Sequence, residues 1–201
     1  MADGKVVTGF SFPRVAKYKN TAGVISYEDG MALARGVSVS DGVEASGIVK
    51  FFANNMLAEV GNKKFTGGSI DLEIDGLKKG ARKLIMGLPA ESTVTIDSET
   101  VSYQKYNKNQ SIPYVGVGFV IQTMEDGVTK YTAVVFRKGM FNIDPLNATT
   151  QGEEIEFQTT TLTFDIMRDD SSDHDWKYMA EDLATEDLAV AVIDHFLDIS
   201  A

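Results

Sequence analysis

Between Phe65 and Ile74 the chain alternates: Ile70, Leu72 and Ile74 take every second place, and Ser69, Asp71 and Glu73 fill the places between. Successive side chains of a strand point to opposite faces, so this pattern specifies a half-buried strand with one apolar and one polar side. The period then changes. From Leu77 to Met86 the apolar Leu77, Ala81, Leu84 and Ile85 share one helical face, and Lys78, Lys79, Arg82 and Lys83 lie elsewhere. Asp75 stands at the N-cap position, and Gly87 stands where a left-handed C-cap belongs. Bases toward the C-terminal end suit the helix dipole. The stretch therefore reads as a wet-faced strand followed by one short amphipathic helix.

The rest of the chain repeats the strand signal. Phe10–Tyr18 alternates around Pro13 and reads as an edge strand or N-terminal arm, because proline cannot donate to a ladder. Met31–Val39 and Val43–Ala53, with its Val49–Phe52 run, read as further strands. Asn54–Lys64, with Asn54-Asn55 and Gly61-Asn62, reads as a loop. Strands are expected at Thr93–Ile96, Val101–Tyr106 and Ile112–Gln122, the last two joined as a hairpin through Asn107–Ser111. Asp126-Gly127 is the sharpest turn signal and pairs Ile112–Gln122 with Thr129–Lys138. Tyr131–Lys138 and Glu154–Met167 carry β-branched and aromatic surface, and the loop between them holds Asn142, Asp144, Pro145, Asn147 and Gly152. After Trp176 the composition turns acidic. Glu181–Ile199 has helical period, with Leu183, Val190, Ile193 and Leu197 on one face and Asp182, Glu186 and Asp187 in the first turns. The expected organisation is a β domain over residues 1–177 and a helical extension over 178–201.

Chemistry is hard to find. No cysteine occurs, so a disulfide framework, a cysteine nucleophile and a cysteine metal site are excluded. Asp71-x-Glu73-x-Asp75-Gly76 imitates the start of a calcium loop, but its twelfth position is Arg82 and it lies in a strand pattern. The cluster Asp169, Asp170, Asp173, His174 and Asp175 lacks the loop glycine and closing glutamate of a calcium site, and reads as a solvated acidic turn. His174 and His195 have no sequence motif around them, and nucleophile elbows, phosphate loops and zinc-protease pairs are missing. Gly116-Val117-Gly118 lies inside an apolar strand and reads as a place of close packing. These readings assign no catalytic residue, no metal and no cofactor. A net charge of −10 disfavours nucleic-acid binding. Lys78, Lys79, Arg82 and Lys83 lack interleaved aromatics and read as a solvated face, with an acidic neighbouring subunit as the alternative. Neither a signal-peptide pattern nor a membrane-length apolar run is present, so the expectation is a chain made and left in the cytoplasm.

Three segments carry a resemblance by their order and spacing: Ser69–Gly87 (SIDLEIDGLKKGARKLIMG), Ile112–Phe119 (IPYVGVGF), and the series KY, KGMF, EFQTTTL, R and WK between Lys130 and Lys177. Together they resemble the major tail protein family of long-tailed phages infecting Gram-positive bacteria. Thr160 stands where family members often have proline, and the extension after Lys177 is longer than the family suggests. The resemblance implies an antiparallel β-sandwich or barrel of tail-tube type with one flanking helix. It also implies hexameric rings stacked into a tube that conducts DNA without gripping it. The implied partners are further copies of the chain and the tail tape-measure, tail terminator and distal tail proteins, in a virion assembled in the host cytoplasm. Ser69, Asp71 and Glu73, with Thr161, Thr163 and Asp165 as a second set, are then the candidates to face the lumen. Outer solvent is the competing position for Asp71 and Glu73. Ring contacts are expected from the arm Met1–Phe12 (Phe10, Phe12), the Asn54–Lys64 loop (Met56, Leu57), the Asn107–Ser111 tip (Lys108), and Leu183, Val190, Ile193 and Leu197, for which packing on their own domain is the competing position. A tube subunit of a contractile or bacteriocin-like particle, and an adhesin-like β-sandwich, are the alternatives.

Overall fold

The computed structural model describes residues 4–48, 50–143, 148, 150 and 157–200. Met1–Asp3 of the expected arm, Val49, Asp144, Pro145, Asn147 and Gly152 of the expected loop, and the first residues of the expected Glu154–Met167 strand lie outside them. The fold is mainly β: a large antiparallel sheet, two separate hairpins and, among the described residues, two helices. The sheet strands are β1 (Val6–Thr21), β2 (Val24–Ala32), β3 (Gly36–Ala45), β6 (Phe65–Ile74), β9 (Val115–Glu125), β10 (Val128–Phe141), β11 (Thr160–Met167) and β12 (Lys177–Leu183). Their spatial order is β2-β1-β9-β10-β11-β6-β3, with β12 added on β10. The hairpins are β4 (Lys50–Ala53) with β5 (Met56–Val60), and β7 (Ser92–Ile96) with β8 (Glu99–Tyr103). The helices are α1 (Lys79–Ile85) and α2 (Glu186–Phe196).

The alternation in β6 is used as expected. Ile70, Leu72 and Ile74 are fully buried, as are Leu162 and Phe164 on β11. They meet Val117 and Phe119 of β9, Phe136 of β10 and Ile85 of α1 in one cluster, because the sheet curls until β3, β6 and β11 pack over β1, β9 and β10. Each such aliphatic side chain stabilises the fold by roughly 1.5–3 kcal/mol. A second cluster fills the other side of β1, β9 and β10, where α2 lies down on Ala16, Val120, Ala133 and Val135. Gly116 and Gly118 form its floor: a Cβ on Gly116 would meet Tyr27 and Leu197. The close packing expected of these glycines is the packing found.

Several expectations are corrected. Phe10–Tyr18 is no edge strand, since β1 pairs with both β2 and β9. Pro13 is tolerated there because the register to β9 shifts between Ser11 and Arg14, while its carbonyl accepts from the Leu33 amide. The Met31–Val39 run is broken, ending one strand and starting another, and Val24–Met31 joins β2. Asn54–Lys64 is largely a hairpin: Asn54 and Asn55 both take left-handed backbone (φ 51° and 61°), the geometry of a tight two-residue turn. Val101–Tyr103 pairs back onto Ser92–Ile96 through Asp97-Ser98, so Asn107–Ser111 joins no hairpin. The first helix is shorter than expected and begins without a side-chain cap. Asp75 instead accepts from the backbone and guanidinium of Arg35. Gly87 does take the left-handed conformation (φ 57°). The extension expected to be helical from Tyr178 begins as β12, paired with β10 through Tyr178↔Val135 and Met179↔Val134. Only from Glu186 is it helix, capped by the Thr185 hydroxyl accepting from Leu188 N–H.

Candidate functional site

The register of β11 on β6 brings both lumen-candidate sets onto one surface. Thr161 lies opposite Glu73, Thr163 opposite Asp71, and Asp165 opposite Ser69. β3 extends the same face with Ser38 opposite Glu73, Ser40 opposite Asp71 and Gly42 opposite Ser69. None of these nine positions is Lys or Arg. Hydroxyls hold the acids in place: Thr163 Oγ1 donates to Asp71 at 2.6 Å, and Thr159 and Ser38 donate to the two oxygens of Glu73 at 2.5 and 2.7 Å. The Thr159 bond, with that from Ser38, holds the Glu73 carboxyl below its ordinary range. Glu73 therefore keeps its charge further into the acid range than an ordinary glutamate. It is a three-strand surface of hydroxyls and carboxylates, backed by the main core.

The contact candidates divide. Phe12 (φ 51°), Met56, Leu57 and Lys108 are exposed. Phe10 packs edge-on against Phe119, 5.3 Å between ring centroids, and belongs to the chain's own core. Leu183 and Val190 pack on the second cluster, and Ile193 and Leu197 are fully buried in it. These four pack on the chain's own domain and not on a neighbour: the glycine floor of β9 lets Val190, Ile193 and Leu197 bury at home, and Leu183 joins them from the end of β12.

The acidic turn is not merely solvated. Asp169 is buried, paired with Arg137 (3.2 Å) and accepting from the amide and hydroxyl of Ser171. Asp170 takes Lys138 at 2.7 Å and the Tyr18 hydroxyl at 3.0 Å. Arg137 lies over the rings of Tyr27 and Tyr178, and Lys138 over those of Tyr18 and Tyr114. Burial, the largest cause, pushes the Tyr18 phenol up to about 12, so it remains a donor to Asp170. This double clamp ties the 168–176 loop to β10. The sequence reading missed it, because adjacent Arg137 and Lys138 signal nothing until the strand bulges around them. Among the described residues no group of His, Asp and Glu could hold a metal ion. Asp71 and Glu73 lie flat along a strand and Asp75 is taken by Arg35, so the calcium-loop imitation has no loop.

Also unforeseen are the two hairpins, which leave large apolar side chains in water. On β4–β5, Phe51, Phe52, Met56, Leu57 and Val60 are all at least half exposed; on β7–β8, Val94, Ile96, Val101 and Tyr103 are more than 40% exposed. The sequence signal for their turns is slight: Asn54-Asn55 and Asp97-Ser98 contain no glycine, yet all four residues take left-handed backbone. Among the described residues no helix is long and apolar enough to cross a membrane. No protein-family model matches the chain, and no curated protein matches it.

Proposed function

We propose that this chain is a structural subunit that self-assembles into stacked rings, forming a phage tail tube through which DNA passes. The observation that carries this reading is the base-free face of β3, β6 and β11. A conduit for DNA must not grip phosphates, and each Lys or Arg on its wall would release counterions and strengthen binding. Fixed carboxylates instead repel the polymer, and the hydroxyls that hold them keep the wall wet. The open sheet supports the same reading. β2 and β3 end the strand order, and neighbouring copies would pair or cover those edges. The resemblance over Ser69–Gly87, Ile112–Phe119 and Lys130–Lys177 adds the family context, and with it tape-measure, terminator and distal tail proteins as partners.

The test is negative-stain electron microscopy of the purified protein over a range of concentrations. Rings and hollow tubes are the expected result. A small closed oligomer would favour an adhesin-like binding module, and a chain that stays monomeric at every concentration would remove the support for self-assembly.

A further inference from the structure

The two hairpins are both apolar and both solvent-exposed, and they differ in charge. In β4–β5 the register pairs Phe52 with Leu57 and Ala53 with Met56, so both faces carry apolar side chains. The arm and its base hold Lys50, Lys63 and Lys64 against Glu59, in a chain whose net charge is −10. In β7–β8 the register gathers Val94, Ile96, Val101 and Tyr103 on one face and Thr93, Thr95, Thr100 and Ser102 on the other. That hairpin carries Asp97 and Glu99 and no base between Ser92 and Tyr103. Among the described residues, none of Lys50, Lys63, Lys64, Asp97 and Glu99 makes an ion pair, and all five are exposed.

A two-stranded hairpin is marginal on its own in water, and exposed apolar clusters of this kind mark contact surfaces. We propose that the β4–β5 hairpin of one copy docks on the apolar face of the β7–β8 hairpin of the next. Three lysines then meet Asp97 and Glu99 around a contact of Phe52 and Leu57, which share one face of β4–β5, with Val94, Ile96, Val101 and Tyr103. Such a contact is heterologous, using a different patch on each partner, so it repeats and either closes into a ring or continues as a filament. It rests on the self-assembly part of the functional reading and names the surfaces that carry it.

Charge reversal tests it. One variant carries Lys50→Glu, Lys63→Glu and Lys64→Glu; the other carries Asp97→Lys and Glu99→Lys. Alone, each presents like charges at every contact and should need about tenfold more protein to associate in sedimentation velocity. Mixed in equal amounts, the two kinds of copy can alternate with opposite charges at every contact. Association should then return to within about twofold of the parent chain. All five side chains are exposed, and unchanged thermal midpoints verify that the variants fold. Undiminished association of either variant alone, or a folded mixture that does not recover, overturns the docking. Parent oligomers without tubes in the microscope overturn the tube reading and leave the docking intact. Tubes indifferent to both reversals do the converse, and a parent chain monomeric at all concentrations overturns both.

Discussion

Ile193 stands directly over Gly118: a methyl group added to that glycine would lie 2.4 Å from Cγ2 of Ile193. α2 approaches β9 as closely as it does because this strand position has no side chain. Gly118→Ala should therefore destabilise the fold by about 1–3 kcal/mol through overpacking. Ile193→Ala should cost about 2–5 kcal/mol through the cavity it leaves. The pair together should cost clearly less than the sum, since the truncation makes room for the added methyl. Urea denaturation of the three variants measures this, and strict additivity would show that the two residues do not press on each other.

The Arg137–Asp169 pair, at 3.2 Å with the Asp169 side chain wholly buried, should behave as a buried charge pair. Asp169→Ala strands the guanidinium and should cost about 3–5 kcal/mol, whereas replacing both partners by apolar residues should recover a large part of that loss. Arg137→Met with Asp169→Leu is the pair to compare by thermal and chemical denaturation.

Arg14 and Asp194 face each other at 3.4 Å without a hydrogen bond. Burial raises the Asp194 pKa above its ordinary 3.8, and the Arg14 charge opposes this only in part. A carboxyl raised in the folded state contributes stability that is fully present below 3.8 and is lost as pH rises through the raised value. Asp194→Asn should remove that loss. Its stability relative to the parent chain should climb as pH increases from 3.8 and then level off. Glu28, Glu73, Asp75, Asp170 and Asp182 are shifted down and act in the opposite sense, but they are common to both proteins and drop out of the difference. Parallel pH profiles would remove Asp194 from the account.

Asp71→Lys with Glu73→Lys should convert the hydroxyl–carboxylate face into one that holds DNA. Assembled parent particles should not retain DNA at moderate salt, and particles of the variant should retain it, with release on raising salt by a few-fold. Equal retention by both would separate this face from any conduit.

Much of the main sheet was legible because its residues obey one rule at a time. Ile70, Leu72 and Ile74 alternate, Asp126-Gly127 turns, Gly87 takes a left-handed φ, and Gly116 and Gly118 admit a neighbour. What escaped was governed by competing rules. Pro13 argues for an edge, yet a register shift lets β1 run between two partners. Tyr178–Leu183 lacks the β-branched residues of a strand and so reads as part of the helical extension, although β10 pairs with it. Asn54-Asn55 and Asp97-Ser98 turn tightly with both residues left-handed, a conformation that glycine would have advertised and asparagine, aspartate and serine disguise. For the polar face, alternation showed the rows of β6 and β11, but the β3 row straddles two expected strands, Met31–Val39 and Val43–Ala53, and only the β11–β6 and β6–β3 registers join the three into one surface.

One long strand links the two halves of the sheet. Along β10, residues Tyr131–Phe136 pair with β12 and Lys138–Phe141 with β11, while β9 runs along its other edge. Within the strand order, β2, β1 and β9 therefore connect to β11, β6 and β3 through β10. A pull along the strands between the two halves loads the hydrogen bonds of β10 in shear, many at once, so they do not unzip singly. The clamp of Arg137 and Lys138 grips β10 at the junction of the stretches held by β12 and β11, where that load would pass from one neighbour to the other.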